Sequence, residues 1–395
     1  MTSIREMIRR FFSERKPLPA GAYHYQAPPD ASFPYRLHLR LEADGSGLLI
    51  VNAATVLHLN QTAAEYAYHL VNGTSKEEVA QSVSQRYRVH YQQALDDYND
   101  LVERLQTMIA TPDLDPEAYL GFDRAIPYSH AISAPYRLDC ALTYRLAPGS
   151  APEAAPIERV KHELTVDEWK AILVKAWEVG IPHVIFTGGE PTLREDLPDL
   201  IACAEANGQV SGLLSDGLRM ADPAYLTTLL QTGLDHIMVV LNPENDQSWI
   251  ALANLLAADI FVAVHLTLTH QNIAKVPDLM QQLADKGLKA LSLSHSDPDL
   301  HQTLQSLRDQ AAKLGLSLIW DLPVPYSASH PLALELAEQA EEPVPQGAGK
   351  AWIYVEPDGD VLPSQGINQV LGNFLSDPWE KIWKPVEETS GGATE

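Results

Sequence analysis

Residues 183–196 read HVIFTGGEPTLRED. A short apolar run ends in two glycines, a glutamate and a proline, and the chain then turns polar. A run of that length bounded by glycine reads as a buried strand. Paired glycines leave backbone open to close approach, and a carboxylate beside them can hold an ammonium group. The same alternation recurs on both sides of this stretch. Strand candidates are YRLDCALTY (136–144), HVIF (183–186), SGLLS (211–215), HIMVVLN (236–242), FVAVHLTLT (261–269) and ALSLSH (290–295). Helical patterns lie between them, such as 165–179, opened by Thr165-x-x-Glu168 with Trp169, Ile172, Leu173, Ala176 and Trp177 at helical spacing. Six such units predict an α/β fold whose parallel sheet is curved into a partial (β/α)6, TIM-like barrel over 136–322. Ligands of such barrels sit at the C-terminal ends of the strands, where 188–191 lies.

The rest of the chain divides around this barrel. Residues 1–16 put Ile4, Met7, Ile8, Phe11 and Phe12 on one helical face among arginines. This basic amphipathic segment suits a membrane surface or an acidic partner, but docking on the chain's own acidic body is favoured. A proline-rich connector runs to 34. Residues 35–110 form a small α+β unit with strands in YRLHLRLE, LLIV and TVLHLN. Its first helix is expected to open at a Thr62-x-x-Glu65 capping box and end at Gly73. A second opens at Ser75-x-x-Glu78, and a third carries Leu95, Tyr98, Val102, Leu105 and Ile109. Residues 111–135 read as a linker and 323–384 as a linker and small extension. That extension holds a hairpin with an Asp358-Gly359 turn, and the 385–395 tail reads as disordered.

The 395-residue chain carries 28 Lys+Arg against 52 Asp+Glu, a formal net charge of −24. This balance argues against nucleic-acid partners, which require clustered basic residues. No apolar run approaches a membrane span and no secretory signal is visible, so a cytoplasmic location is expected. The two cysteines, Cys140 and Cys203, fall inside a strand-like and a helical run and read as small buried hydrophobes.

Strand–GGEP–helix as the second unit of a partial barrel resembles the radical S-adenosylmethionine (SAM) superfamily, where this motif contacts the amino group of SAM. LLSDG (213–217) resembles the turn after that fold's third strand, and LTLTHQN (266–272) the end of its fifth. The runs QGAGKAWIYVEPDGDVLPSQG and LGNFLSDPWEKIW, within 346–383, resemble the SPASM extension of peptide-modifying members. The 35–110 unit resembles the winged-helix-like PqqD peptide-recognition domain, most specifically in LNQTAAEYAYHLVNGTSKEEV (59–79). The resemblance implies a SAM site at Gly188, Gly189, Glu190, Pro191, Ser215, Asp216, Gly217 and Asn272. It also implies a leader peptide added as a strand along 51–59, against Val56, Leu57, His58 and Leu59 and the helix of Leu95, Tyr98 and Val102.

One departure stands out. Where the superfamily places C-x-x-x-C-x-x-C to hold a [4Fe–4S] cluster, residues 142–165 contain no cysteine. Gln346 and Ser364 stand where the extension has cysteines. The expectation is therefore no iron–sulfur cluster, no metal and no required cofactor. SAM should bind weakly, since a bond to Glu190 contributes about 2–3 kcal/mol against the roughly 8 kcal/mol of micromolar affinity. The glycines and Glu190 also admit a plainer role as a tight turn packing strand on helix. His265, His270 and His295 could gather at the mouth, though hydrogen-bonded neutral histidines are the default. The expected function is that of a pseudoenzyme that binds a precursor peptide and presents it to a partner enzyme, such as an active radical SAM relative. The alternatives are an active peptide-modifying radical SAM enzyme with cluster and SAM, a SAM sensor and a non-enzymatic scaffold.

Overall fold

The computed structural model describes residues 18–28, 31, 35–53, 55–111, 132–148, 150, 155–295, 297–319, 322–324 and 347–383. The basic segment 1–16, most of the 111–135 linker, Gln346 and the 385–395 tail lie outside these residues. The chain forms two compact units, 1–125 and 126–395.

The first unit is a four-stranded antiparallel sheet under three helices. Strands β1 (Gly21–Gln26), β2 (Arg36–Leu41), β3 (Gly47–Val51) and β4 (Thr55–Leu59) pair in chain order. Period-two alternation in β2 sends Leu37, Leu39 and Leu41 into one core with Leu49, Val51, Leu57 and Leu59. Two expectations need correction. Residues 21–26, read as connector, are a full edge strand on β2. The first helix, α1 (Gln61–Val71), is capped by Asn60, whose side chain accepts from the Ala63 N–H, and not by Thr62. Glu65 is instead buried and ion-paired with Arg86 at 2.7 Å, so it is not available to a capping box. The second helix, α2 (Lys76–Tyr87), forms the Ser75–Glu78 capping box as the sequence predicts. The third, α3 (Tyr91–Ala110), divides its inward face: Leu105 and Met108 pack on the sheet, while Ala94 and Tyr98 pack on Tyr66, Val79, Ala80 and Val83.

The second unit contains the predicted parallel array. Strands β5 (Arg137–Thr143), β6 (His183–Gly188), β7 (Val210–Ser215), β8 (His236–Val240), β9 (Phe261–Leu268) and β10 (Ala290–His295) lie side by side in chain order, all parallel, with a short β11 (Ser317–Leu318) beyond β10. Helices α4 (Val166–Glu178), α5 (Leu197–Asn207), α6 (Pro223–Gln231), α7 (Asp246–Leu256), α8 (Val276–Asp285) and α9 (His301–Lys313) make the crossovers. Alternate strand residues, among them Leu138, Cys140, Val184, Phe186, Leu213, Val239, Val264 and Leu291, pack in the helix-side core. The residues between them, such as Leu214, Met238, Ala263 and Ala290, form a separate apolar cluster on the opposite face.

The extension is not a separate layer. Its first strand, β12 (Trp352–Val355), pairs in parallel with β5, so the large sheet runs on through β13 (Asp360–Leu362) and β14 (Gly372–Asn373). Gly359 makes the predicted hairpin turn with φ +90°. The last helix, α10 (Trp379–Ile382), stacks Trp379 on Trp383. The indoles of these residues donate to the Ser133 and Ile132 carbonyls, which fastens the end of the described chain to the entry of β5. No described helix is long and apolar enough to cross a membrane.

Candidate ligand site at the strand exits

The two glycines of the opening stretch serve first to join strands. A Cβ on Gly188 would lie 2.2 Å from the Thr143 carbonyl oxygen, and one on Gly189 would lie 2.2 Å from that of Arg145. Through this close approach the Gly189 N–H donates to Thr143 O at 2.7 Å and the Glu190 N–H to Arg145 O at 2.8 Å. Arg194 completes the seam. Its guanidinium is buried, is held in a fork by Asp196 at 2.7 and 2.8 Å, and donates to the carbonyls of Leu142 and Leu164. The loop after β5 is thereby tied at both ends to the loop after β6.

Glu190 links the next pair of exits. One carboxylate oxygen accepts from the Thr192 N–H at 2.9 Å, the Ser215 hydroxyl at 2.9 Å and the Thr192 hydroxyl; the other accepts from the Asp216 N–H at 2.8 Å. Asp216 accepts from the Leu218 N–H at 2.9 Å, beside the Glu190 carboxylate that its own N–H reaches. The turn between them needs Gly217, at φ +78°. Burial, reinforced by the neighbouring Asp216 charge, pushes Glu190 up to about 7. Burial also raises Asp216. The nearby cations are otherwise committed. Arg219 donates to Thr192 O at 2.5 Å, pairs with Glu195 at 3.2 Å and covers the Tyr225 ring at 4.0 Å. Among the described ion pairs none involves Glu190 or Asp216.

On the face turned away from the helices, β9 and β10 carry a neutral polar wall. His265 is wholly buried and contacts the Ser292 hydroxyl through Nδ1 at 3.0 Å, and those of Thr267 and Ser294 through Nε2 at 3.1 and 3.0 Å. Burial lowers it to about 3, so it is an uncharged imidazole. Thr187 on β6 is buried, and its hydroxyl has no hydrogen-bond partner among the described residues. Nearer the strand entries, Arg137 pairs with Asp139 at 2.7 Å and His183 meets His236 at 2.8 Å. The three mouth histidines do not gather. His270 is exposed and bonded to Asp297, and His295 meets His301 at 6.0 Å between ring centres. Asn272 turns inward on its own loop, accepting from Thr269 N and donating to Thr267 O. Among the described residues no group of three or more His, Cys, Asp or Glu could hold a metal ion.

The segment before α4 is anchored on the hairpin. Glu356, almost fully buried, accepts from the Tyr144 hydroxyl at 2.9 Å and from Arg159, which also reaches Asn368. Leu164 N–H donates to Pro357 O at 2.7 Å. Ser364 accepts from the Trp352 indole at 3.2 Å and so has a packing role. In the first unit, β4 has a strand on one side only among the described residues. Leu57 and Leu59 point into the core, while Val56 is half-buried and His58 exposed. Leu95 and Val102 are half-buried beside Tyr98, which itself is buried against Tyr66 with ring centres 6.0 Å apart. Of the expected peptide contacts, Val56, His58, Leu95 and Val102 thus retain accessible surface.

A large parallel sheet with crossover helices on one face, and a carboxylate-bearing glycine turn at its strand exits, agrees with the partial barrel that the sequence motifs predict. No family model matches the chain. It is 27% identical over 264 residues to a PqqA peptide cyclase of Gluconobacter oxydans, covering 58% of this chain and 70% of that one. It is 27% identical over 281 residues to a PqqA peptide cyclase of Streptomyces rochei, covering 64% and 76%. The crystal structure of Streptococcus suis SuiB bound to S-adenosylmethionine shares the fold at a TM-score of 0.59 and 14% identity, covering 88% of this chain and 87% of that one. SuiB bound to its precursor peptide SuiA matches at 0.60, covering 89% and 88%.

These findings overturn the expectation of no cofactor, with no iron–sulfur cluster and SAM held weakly at best. The chain is similar to proteins named as peptide cyclases, and a protein of the same fold is solved with SAM bound. The question becomes which groups of this chain would receive such ligands. The carboxylates of buried Glu190 and half-buried Asp216, neither of them in a described ion pair, fit the ammonium group of SAM. For a cysteine-held cluster the donors do not fit. The thiols are those of Cys140, buried in the helix-side core, and Cys203 on α5.

Proposed function

We propose that this protein binds a precursor peptide along β4 of its first unit, holds SAM at Glu190 and Asp216, and presents the peptide to a partner modifying enzyme. The observation that carries this reading is the β4 edge, with half-buried Val56 and exposed His58 on it and half-buried Leu95 and Val102 on α3. An extended peptide pairing with such an edge gains affinity from main-chain hydrogen bonds and selectivity from the side chains it meets. The first unit corresponds on this reading to a PqqD-like recognition domain and β12–β14 to a SPASM-like extension. Presentation is favoured over catalysis by the segment after β5, which is committed to holding the hairpin through Tyr144, Arg159 and Glu356. Hydrogen exchange on the full chain, with and without the small peptide encoded beside its gene, tests peptide binding. Protection of the amides of 55–59 is expected, and unchanged exchange there refutes it.

A second reading has its own support, because the relatives in sequence are named as peptide cyclases. On that reading the chain modifies the peptide itself. The two separate cleanly by mass spectrometry of the peptide after incubation with this protein, SAM and reductant alone. A mass change without any partner assigns the chemistry to this chain.

A further inference from the structure

We propose that the basic N-terminal segment, 1–16, docks on the apolar flank of α3 and occupies in cis the face that a precursor peptide would use. The inference adds a regulator to the peptide-binding reading above. It rests on that reading for what the segment competes with, and on α3 itself for the docking.

Helix α3 carries more apolar surface than its own core uses. Ala94, Tyr98, Leu105 and Met108 form the buried stripe that packs on the sheet and on the two other helices. Beside it, Tyr91, Leu95, Val102 and Ile109 make a second row, at spacings of four and seven that keep them on one flank. Tyr91 is 44% exposed, and the other three are half-buried. This row is long and narrow, the shape that the apolar face of a second helix fills.

Charge selects the occupant. The solvent side of α3 is acidic: Asp96 and Asp97 accept from the helix's own Gln92 and Gln93 at 2.9 and 2.6 Å, and Asp100 pairs with Arg104 at 2.8 Å. Asp96, Asp97 and Glu103 belong to no described ion pair, so their charges are open to a basic partner. Segment 1–16 has the complementary pattern. Ile4, Met7, Ile8, Phe11 and Phe12 share a helical face, Arg5, Arg9, Arg10, Arg15 and Lys16 are spread around it, and Glu6 and Glu14 are its acids. Reach is no obstacle. The described chain begins at Leu18, which packs on the same core as Leu101 and Ile109 of α3. Sixteen helical residues span about 24 Å, against about 27 Å from Tyr91 to Ile109. A second copy of the chain or an anionic membrane fits less well, because a body of net charge −24 is repelled by either. A tethered segment also competes at high effective concentration with any free peptide. The site is thus self-occluded, and peptide binding begins with displacement of the segment.

The test places p-benzoylphenylalanine at position 11 of the full chain, in place of Phe11, and maps photo-cross-links by mass spectrometry. Cross-links within one molecule, onto 91–110, are expected. Asp96→Lys with Glu103→Lys changes two exposed positions outside the core, so the unit should fold, and should lower the cross-link yield about fivefold. In a second arm, a fluorescent synthetic peptide of sequence 1–16 is titrated into the full chain. It should bind an Ile8→Asp, Phe11→Asp protein about tenfold more tightly than the parent, whose own segment fills the site. Cross-links elsewhere in the chain, cross-links between two molecules alone, a yield unmoved by the charge reversal, or equal peptide affinity of the two proteins each overturn the inference. Loss of the cross-links on phosphatidylserine vesicles that retain the parent protein also overturns it, in favour of a membrane role. No precursor peptide is used, so exchange protection at 55–59 stands or falls separately.

Discussion

Replacing Gly189 by alanine should unsettle the second unit far more than a surface glycine substitution, because the obstacle is backbone. The new Cβ would meet the Arg145 carbonyl oxygen at 2.2 Å and the carbonyl carbons of Arg145 and Tyr144 at 2.9 Å. No side-chain rotation relieves such a contact, so the exits of β5 and β6 must separate. Overpacking of this kind costs about 1–3 kcal/mol. Separation also stretches two hydrogen bonds, Gly189 N–H to Thr143 O and Glu190 N–H to Arg145 O, each contributing about 1 kcal/mol. A total of about 3–5 kcal/mol corresponds to a fall of roughly 10 °C in the melting temperature of a unit this size. Gly315 is the control. It sits at φ +71° with nothing within 4 Å of an added Cβ, so its alanine variant carries only the left-handed backbone strain, about 1–2 kcal/mol. Thermal unfolding followed by near-ultraviolet circular dichroism reads both variants. A Gly189→Ala protein that melts within 2 °C of the parent would refute the strand-joining role and return this glycine to a ligand-contacting one.

Three further outcomes are expected. The imidazole of His265 is held neutral well below its ordinary range, so the unfolded chain takes up the proton first; stability is present above pH 6.5 and is lost as pH falls from there toward 3. By pH 5 this single group removes about 2 kcal/mol, and urea melts of His265→Gln should show a shallower acid loss than the parent. Ser75→Ala removes the hydroxyl of a complete capping box and should cost the first unit about 1 kcal/mol, read as a lower urea midpoint with the second unit's transition unmoved. Glu356→Ala removes the acceptor that the Tyr144 hydroxyl and Arg159 share; a loss of about 2–3 kcal/mol should appear as a lower urea midpoint of the second unit.

The parallel strands were legible because each is apolar for most of its length and bounded by glycine or polar turns, as β6 and β10 show. Strand β1 was not, because GAYHYQ is an edge strand with exposed and half-buried positions and lies among prolines. The Thr62 cap was misplaced for a local reason: Asn60, two residues earlier, competes for the same role and wins once Arg86 engages Glu65. At the strand exits the sequence marked Gly188, Gly189, Glu190, Ser215, Asp216 and Gly217, which the fold does bring together. It missed the His265 wall because its hydroxyls at Ser292 and Ser294 lie on the next strand, and it missed Glu356 because its partner Tyr144 is 212 residues away. Only the strand order puts such groups side by side. A polar residue in an otherwise apolar strand, as His265 is in FVAVHLTL, is the one signal available beforehand.

The exit loops also separate what packing explains from what it does not. Strand joining accounts for Gly188 and Gly189, and loop joining accounts for an acceptor at 190. It does not account for a second acid beside that acceptor. A glutamine at 190 would accept the Thr192 and Ser215 bonds through its carbonyl at a smaller desolvation cost, and an asparagine at 216 would still accept from Leu218. A buried and a half-buried carboxyl side by side, with no ion-paired cation among the described residues, therefore work against the stability of the unit that holds them. The acid pair, more than the glycines, is therefore the feature of these loops that packing leaves unexplained.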